Sequence, residues 1–344
     1  MSETVEPIVG PAVVAAGPPV SPPAARRTPL EVAAFVVLTL VVAALAWHFW
    51  MEPAFRTALG DSAAGSPDRL SRTLLTEFFL NPWFYAVILL VAVLEWAVPA
   101  KRQQRFLSRG VLQDLAWVFF KLVAQAWALP FYVVFLRHLF DRHLAFLQID
   151  AVAAWPWGAR FALALLFGDL VYYVTHVVRH KVSVLWYFHA VHHSQRELNF
   201  FTEYRVHPVD DLFVYTIGFI PIFMVDHSFV SVVAIVWLRH WHSRMYHSNI
   251  RSNLGPLRYV LVTPQSHRVH HSRDPRHHDT NFGLTFSLWD HLFGTQWRGY
   301  DEYPDTGIED DDFPFEQGTG AFGVLSRMVG QLVYPFRAIA RHFD

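Results

Sequence analysis

Three short histidine clusters hold the residues best suited to chemistry: His176-Val-Val-Arg-His180, His189-Ala-Val-His192-His193 and His267-Arg-Val-His270-His271. On a helix, positions i, i+3 and i+4 share one face. His176 with His180, and each HxxHH triplet, can therefore turn their imidazoles toward one place. Neutral imidazole ligates iron, zinc, copper or nickel. Eight imidazoles exceed the usual coordination number of a single ion, so the clusters predict two metal ions. His247, ahead of the third cluster, is placed to supply a ninth ligand. A lone HxxxH would be an ordinary interfacial or core feature. The same HxxHH spacing twice, behind a polar-interrupted apolar run, is specific for metal ligation.

The chain has 20 histidines, 16 of them between His176 and His291, so the others need sorting. His207, in Arg205-Val206-His207-Pro208, and His242 are possible metal ligands or outer hydrogen-bond partners. His277 and His278, in SRDPRHHD, read as solvated. His227, His240 and His291 receive no role. A ligating imidazole usually donates its other N–H to a carboxylate or carbonyl. Asp169 lies two turns before His176 on the same helical face, and a carboxylate inside an apolar span is a functional candidate by default. Asp290, Glu203 and Asn281 are weaker candidates, with Arg205 and Arg268 as partners for them. Trp186, Tyr187, Phe188 and Tyr204 can line a cleft, although core packing is the simpler reading for each.

The scaffold that must position these residues is apolar. The 344 residues are 53% hydrophobic and 17% charged, against about 25% charged in ordinary globular domains. This predicts an all-α, polytopic membrane helical bundle with a cytosolic histidine-rich helical cap. The net charge of -1 argues against a nucleic-acid partner, and the absence of cysteine excludes disulfides, thiolate metal sites and a cysteine nucleophile. Residues 1–28, rich in proline and alanine, are expected to be a disordered leader without secretory features.

Val32 to Phe49 is a first expected span, with its linker filling residues 29–78. Pro82 to Val98 is a second, Leu112 to Leu136 a third interrupted by Asp114, Lys121 and Gln125, and Phe161 to Val178 a fourth. The basic stretch KRQQRFLSR at 101–109 places that loop in the cytoplasm, and an even number of spans returns His180 to the same side. Leu212 to Trp237 is expected to form a hairpin bent near Pro221–Asp226, which keeps all the histidines together. Residues 301–312 are an acidic loop. Phe322, Leu325, Val329, Leu332, Phe336, Ile339 and Phe343 form an amphipathic helix, bent at Pro335, that lies on the bilayer or on the domain. The expected divisions are thus 1–28, 29–78, a main domain at 79–300, and the loop and helix at 301–344.

With the three clusters, NFFTEYRVHP at 199–208, LGPL at 254–257 and NFGLTFSLWDHLFGT at 281–295, the chain resembles the fatty acid hydroxylase / sterol desaturase superfamily of membrane di-iron oxygenases over roughly residues 80–297. The run from Leu254 through the third cluster also looks like the alkylglycerol monooxygenase branch. The resemblance implies two iron ions held by His176, His180, His189, His192, His193, His267, His270 and His271, with His247 as an added ligand. It implies O2 and delivered electrons, a sterol, fatty acyl or alkylglycerol-type lipid, and hydroxylated or desaturated products. Where related membrane desaturases often carry an amide or imidazole four residues before the added ligand, this chain has Ser243, with His242 beside it. No HPGG-like heme loop occurs, so electrons are expected from a separate donor: a cytochrome, a ferredoxin or a pterin-type reductant. The RHFD terminus has no retrieval signal, which favours a bacterial inner membrane. The competing reading is a membrane metal-binding protein or metal transporter, whose ligands would be spread along the spans.

Overall fold

The computed structural model describes residues 82–105, 108–225, 229–316 and 320–343. The leader, the first expected span, Asp226 and His227 lie outside the described residues. Those described are helical. Helices α1 (Pro82–Ala97), α2 (Arg109–Leu139), α3 (Trp157–Lys181), α4 (Ser183–His193), α5 (Pro208–Val225), α6 (Phe229–His247), α7 (Pro264–His270), α8 (Leu288–Phe293) and α9 (Gly320–Phe343) are joined by loops and single helical turns. Three isolated bridges replace any strand among the described residues.

Two helices, α3 and α5, are long and apolar enough to cross a membrane. They pack along each other, and they come closest at Gly218, where a Cβ would stand 2.3 Å from the Tyr172 ring. With α6 and the end of α2 they enclose an apolar core built on Phe140, Ala164, Phe219, Ile222, Phe223 and Ile235. The expected hairpin, bent near Pro221–Asp226, agrees with a helix break after Val225, although Pro221 itself does not end the helix. Proline forfeits one ladder hydrogen bond, yet α5 runs through it to Val225, and α6 begins at Phe229. Pro335 likewise sits inside a single helix, α9.

The polar interruptions of α2 have a purpose. Ser108 caps its start by accepting from the Val111 N–H at 3.2 Å. Asp114, fully buried, accepts from Arg205 Nε and Gln195 Nε2 at 2.6 Å each, from Asn199 Nδ2 at 2.8 Å and from Thr202 Oγ1 at 3.0 Å. One carboxylate thus fixes the connection between α4 and α5. Arg205 also pairs with Glu316 at 2.5 Å. Removing one partner of a buried pair strands the other charge, so Asp114→Ala is expected to cost about 3–5 kcal/mol, read as a lower denaturant midpoint.

A candidate di-metal centre

The histidine-bearing elements converge at one end of α3. His176 and His180 occupy its last two turns. A break at Val182 turns the chain into α4, whose C-terminal half carries His189, His192 and His193. His247 ends α6. Helix α7 is only seven residues long but is well started: Thr263 Oγ1 accepts from the Ser266 N–H at 2.9 Å, Ser266 Oγ accepts from the Thr263 N–H at 3.0 Å, and Pro264 opens the first turn. It presents His267, His270 and His271.

These nine imidazoles form two groups. His176, His180, His189, His193 and His270 make one, and His192, His247, His267 and His271 the other, with the candidate ligand atoms of each group within 4.8 Å of one another. The rings of His193 and His271 stack at 4.2 Å between them. Each HxxHH triplet is therefore divided rather than aimed at one place. In the 189–193 triplet the i, i+4 pair joins the five-histidine group and His192 the other. In the 267–271 triplet the i, i+4 pair joins the four-histidine group and His270 the other.

The outer nitrogens decide what the inner ones can do. Nδ1 of His176 donates to the Phe282 carbonyl at 2.7 Å, His270 to Thr280 at 2.8 Å, His247 to Ser243 at 2.7 Å and His192 to Arg205 at 3.2 Å. His189 Nδ1 lies 2.9 Å from the Asp210 carboxylate. Carbonyls and carboxylates only accept, so these Nδ1 atoms hold the ring protons and each Nε2 presents a bare lone pair. Those lone pairs face each other: His176 to His270 at 3.0 Å, His176 to His189 at 3.1 Å, and His192 to His247 at 3.1 Å. The buried Nε2 atoms of His180 and His193 have no hydrogen-bond partner. No proton is left to bridge them, and a cation is what relieves the repulsion. Two imidazole nitrogens about 2.1 Å from one ion at right angles are about 3.0 Å apart, so the residues fit a metal in each group.

Burial pushes His189, His192, His193, His267 and His271 well below the usual histidine range, reinforced by neighbouring cationic or imidazole groups, and pushes His270 down to about 4. The neutral, ligating form is thereby favoured at pH 7. In the metal-free protein the unfolded chain, with histidine near 6.5, binds more protons than the folded one below that pH. Stability is then full above about 6.5 and falls as the pH drops toward about 4. Thermal midpoints of apoprotein across this window are expected to fall steeply, and those of metal-loaded protein less.

The surroundings are supporting groups rather than further ligands. Asp210 also accepts from Arg179 Nη1 at 3.1 Å. Glu203 takes His240 Nδ1 at 2.8 Å, contacts Ser243 Oγ, and lies 3.5 Å from His247 Nδ1. Burial raises the Glu203 carboxyl, but its hydrogen bond from His240 and the imidazoles around it outweigh this and hold it well below the usual carboxylate range. The structure brings none of Asp169, Asp290, His207 and His242 into either group. Asp169 accepts from the Thr285 and Phe286 N–H groups and from Trp289 Nε1, each at 3.0 Å. Asp290 accepts from the Phe282 N–H at 2.7 Å. Both acids thus fix the segment whose Phe282 carbonyl orients His176. His207 Nε2 donates to Leu332 at 3.0 Å, and His242 Nε2 to Val262 at 3.0 Å.

Other expectations change. His277 is buried rather than solvated, with Nδ1 2.8 Å from Ser272 Oγ, Nε2 3.1 Å from Glu302 and its ring against Trp297. His278 is exposed. Arg205 pairs with Asp114 and Glu316, not with the acids proposed for it, and Arg268 Nη2 donates to Asn249. Trp186 packs on His180, and Phe188 on Phe336. Asp210 and the four carbonyls at 205, 243, 280 and 282 were not foreseen. The only signal for Asp210 was a charged pair, Asp210–Asp211, opening an apolar helix.

Between α2, α3, α5 and α6 a cavity of about 100 Å³ touches both groups, at His176 and His189 on one side and at His192, His247 and His267 on the other. Its remaining wall is mixed, with Val206, Val214, Val236 and Leu284 beside charged and hydroxyl groups. Lys121, Arg239, Asp211, Glu203 and His240 line it, with Tyr172, Tyr215 and Tyr246. Lys121 Nζ donates to Asp211 at 3.2 Å.

Residues 161–295, which hold all nine histidines, match the model of the fatty acid hydroxylase family. That segment belongs to the fatty acid hydroxylase family. Beyond it, the chain is 32% identical over 224 residues to the alkylglycerol monooxygenase of Danio rerio, covering 62% of this chain and 46% of that protein. It is 32% identical over 141 residues to an ornithine lipid hydroxylase of Rhizobium tropici, covering 41% and 43%, and 29% identical to the human alkylglycerol monooxygenase, covering 62% and 46%. The chain thus spans less than half the length of these relatives. No solved structure matches it. The fatty acid hydroxylase segment coincides with the part of the fold that runs from α3 through α8.

Proposed function

We propose that the protein is a membrane di-iron oxygenase that uses O2 and electrons from a separate donor to hydroxylate or desaturate a lipid. The observation that carries this reading is the pair of histidine groups with inward-facing lone pairs, opening on one shared cavity. It is supported by the family match and by the relatives, whose names are those of lipid-oxidising enzymes. His176, His180, His189, His193 and His270 would hold one iron, and His192, His247, His267 and His271 the other. Bound iron would supply O2 activation, chemistry that no side chain can bring to an unactivated C–H bond. The protein's residues do the rest. Asp210 and the carbonyls at 205, 243, 280 and 282 hold the ring protons on the outer nitrogens. The helices exclude bulk water and position the substrate.

In this reading the chain is a polytopic helical bundle, with the histidine cap on the cytoplasmic side of a bacterial inner membrane. The domain covers 79–300, and α9 follows it. A metal transporter would spread its ligands along the spans, whereas these are gathered at one place.

The test is tandem mass spectrometry of lipids from cells expressing the wild type or His193→Ala. The expected product gains one oxygen, or loses two hydrogens, and only with the wild type. An unchanged lipidome in both strains, with iron present in the purified wild type, would refute the activity.

A further inference from the structure

Helix α9 presents its apolar stripe away from the protein. Phe322, Leu325, Val329, Val333, Phe336 and Phe343 fall within about 80° of one another around the helix axis. They are between 37% and 87% exposed. The side that packs inward is roughly the opposite one, carrying Gln331, Tyr334 and Ala338, all buried. A helix held by protein packing alone turns its apolar stripe to the core. This helix does the reverse.

Two contacts fix its height. His207, the residue before α5 begins, donates Nε2–H to the Leu332 carbonyl at 3.0 Å. Trp117 Nε1 donates to Gln331 Oε1 at 2.8 Å, one turn before Lys121, whose ammonium reaches Asp211 in the first turn of α5 at 3.2 Å. Helix α9 is therefore level with the end of a helix that is long and apolar enough to cross a membrane. Arg337 stands about 80° from the centre of the stripe, where a long cationic side chain reaches lipid headgroups while its stem stays in apolar surroundings.

We propose that α9 lies in the plane of the membrane interface, its stripe in the acyl layer of the leaflet and its opposite side clamped to α2 and α4. Lipid is the occupant favoured here because the stripe stands at the level where α5, long and apolar enough to cross a membrane, begins. The arrangement ties α4 to the membrane surface: Phe336 packs on Phe188 at 5.4 Å, and the Tyr187 hydroxyl lies 3.2 Å from His342 Nδ1. Helix α4 carries three of the nine histidines.

The chain has no cysteine, so single cysteines report without background. Full-length Phe322→Cys, Val329→Cys and Phe343→Cys would be compared with Arg337→Cys and Arg341→Cys in vesicles of phosphatidylethanolamine and phosphatidylglycerol, using a membrane-impermeant maleimide. All five positions are exposed, so folding is not at stake. The stripe cysteines are expected to react at least ten-fold more slowly than the arginine-site cysteines, and at the same rate in denaturing detergent. Equal rates in vesicles would place the stripe in water and overturn the proposal. Slow labelling with cross-linking between two chains by a bifunctional maleimide would assign the stripe to a second copy and overturn it equally.

Discussion

Alanine at His193 or at His271 is expected to abolish lipid oxidation and to lower the iron content by about one ion per chain. The two substitutions act on different groups, His193 on the five-histidine one and His271 on the four-histidine one. Oxygen chemistry that draws on both ions fails when either is lost, so the loss of activity exceeds the ten- to hundred-fold cost of about 1.4–2.7 kcal/mol seen when an outer partner of a ligand is removed. The rings are packed against each other, His193 on His271 at 4.2 Å, and a single truncation leaves the rest of its group in place. Each variant should therefore retain the other ion. Metal analysis alongside turnover separates this from unfolding, which would release both.

Asp210→Ala is the second large effect. The carboxylate holds the His189 ring by its Nδ1 at 2.9 Å and neutralises Arg179 at 3.1 Å. Its loss removes the acceptor that fixes the His189 tautomer and leaves a guanidinium 7% exposed beside the metal site without a counter-charge. Metal affinity should drop by about 10–100-fold, measured by competition with a chelator. Folding stability should fall by about 3–5 kcal/mol. Asp210→Asn keeps an acceptor for the ring but not the charge, so it is expected to recover most of the affinity and little of the stability.

Eight of the nine candidate ligands were readable because i, i+3 and i+4 spacing marks a shared helical face without reference to distant residues, and His247 was named from its place ahead of the third cluster. Their division was also present in the spacing, though it was not drawn. Adjacent residues on a helix are about 100° apart, so His192 and His193 cannot both face one ion, nor can His270 and His271. Of the supporting groups, Glu203 was singled out in the sequence, but Asp210 and the Phe282 carbonyl were not readable. His189 meets Asp210 from 21 positions away, and His176 meets Phe282 from 106; nothing local marks either partner. Asp169 was singled out from its helical face, but that face turns to the 285–289 segment, so it positions a carbonyl rather than a ring. His277 read as solvated because its neighbours in sequence are charged, whereas Glu302 and Trp297 close over it from later in the chain. The bend expected near Pro221–Asp226 falls after Val225 rather than at the proline itself. Apolar packing on both sides of α5 holds the helix through the missing hydrogen bond.

The central claim is that these histidines cage two metal ions, and anomalous scattering from crystals of the iron-loaded protein at the iron edge tests it most directly. Two peaks are predicted, one surrounded by the rings of His176, His180, His189, His193 and His270 and the other by those of His192, His247, His267 and His271. One peak only, or iron bound away from both groups, would contradict the account.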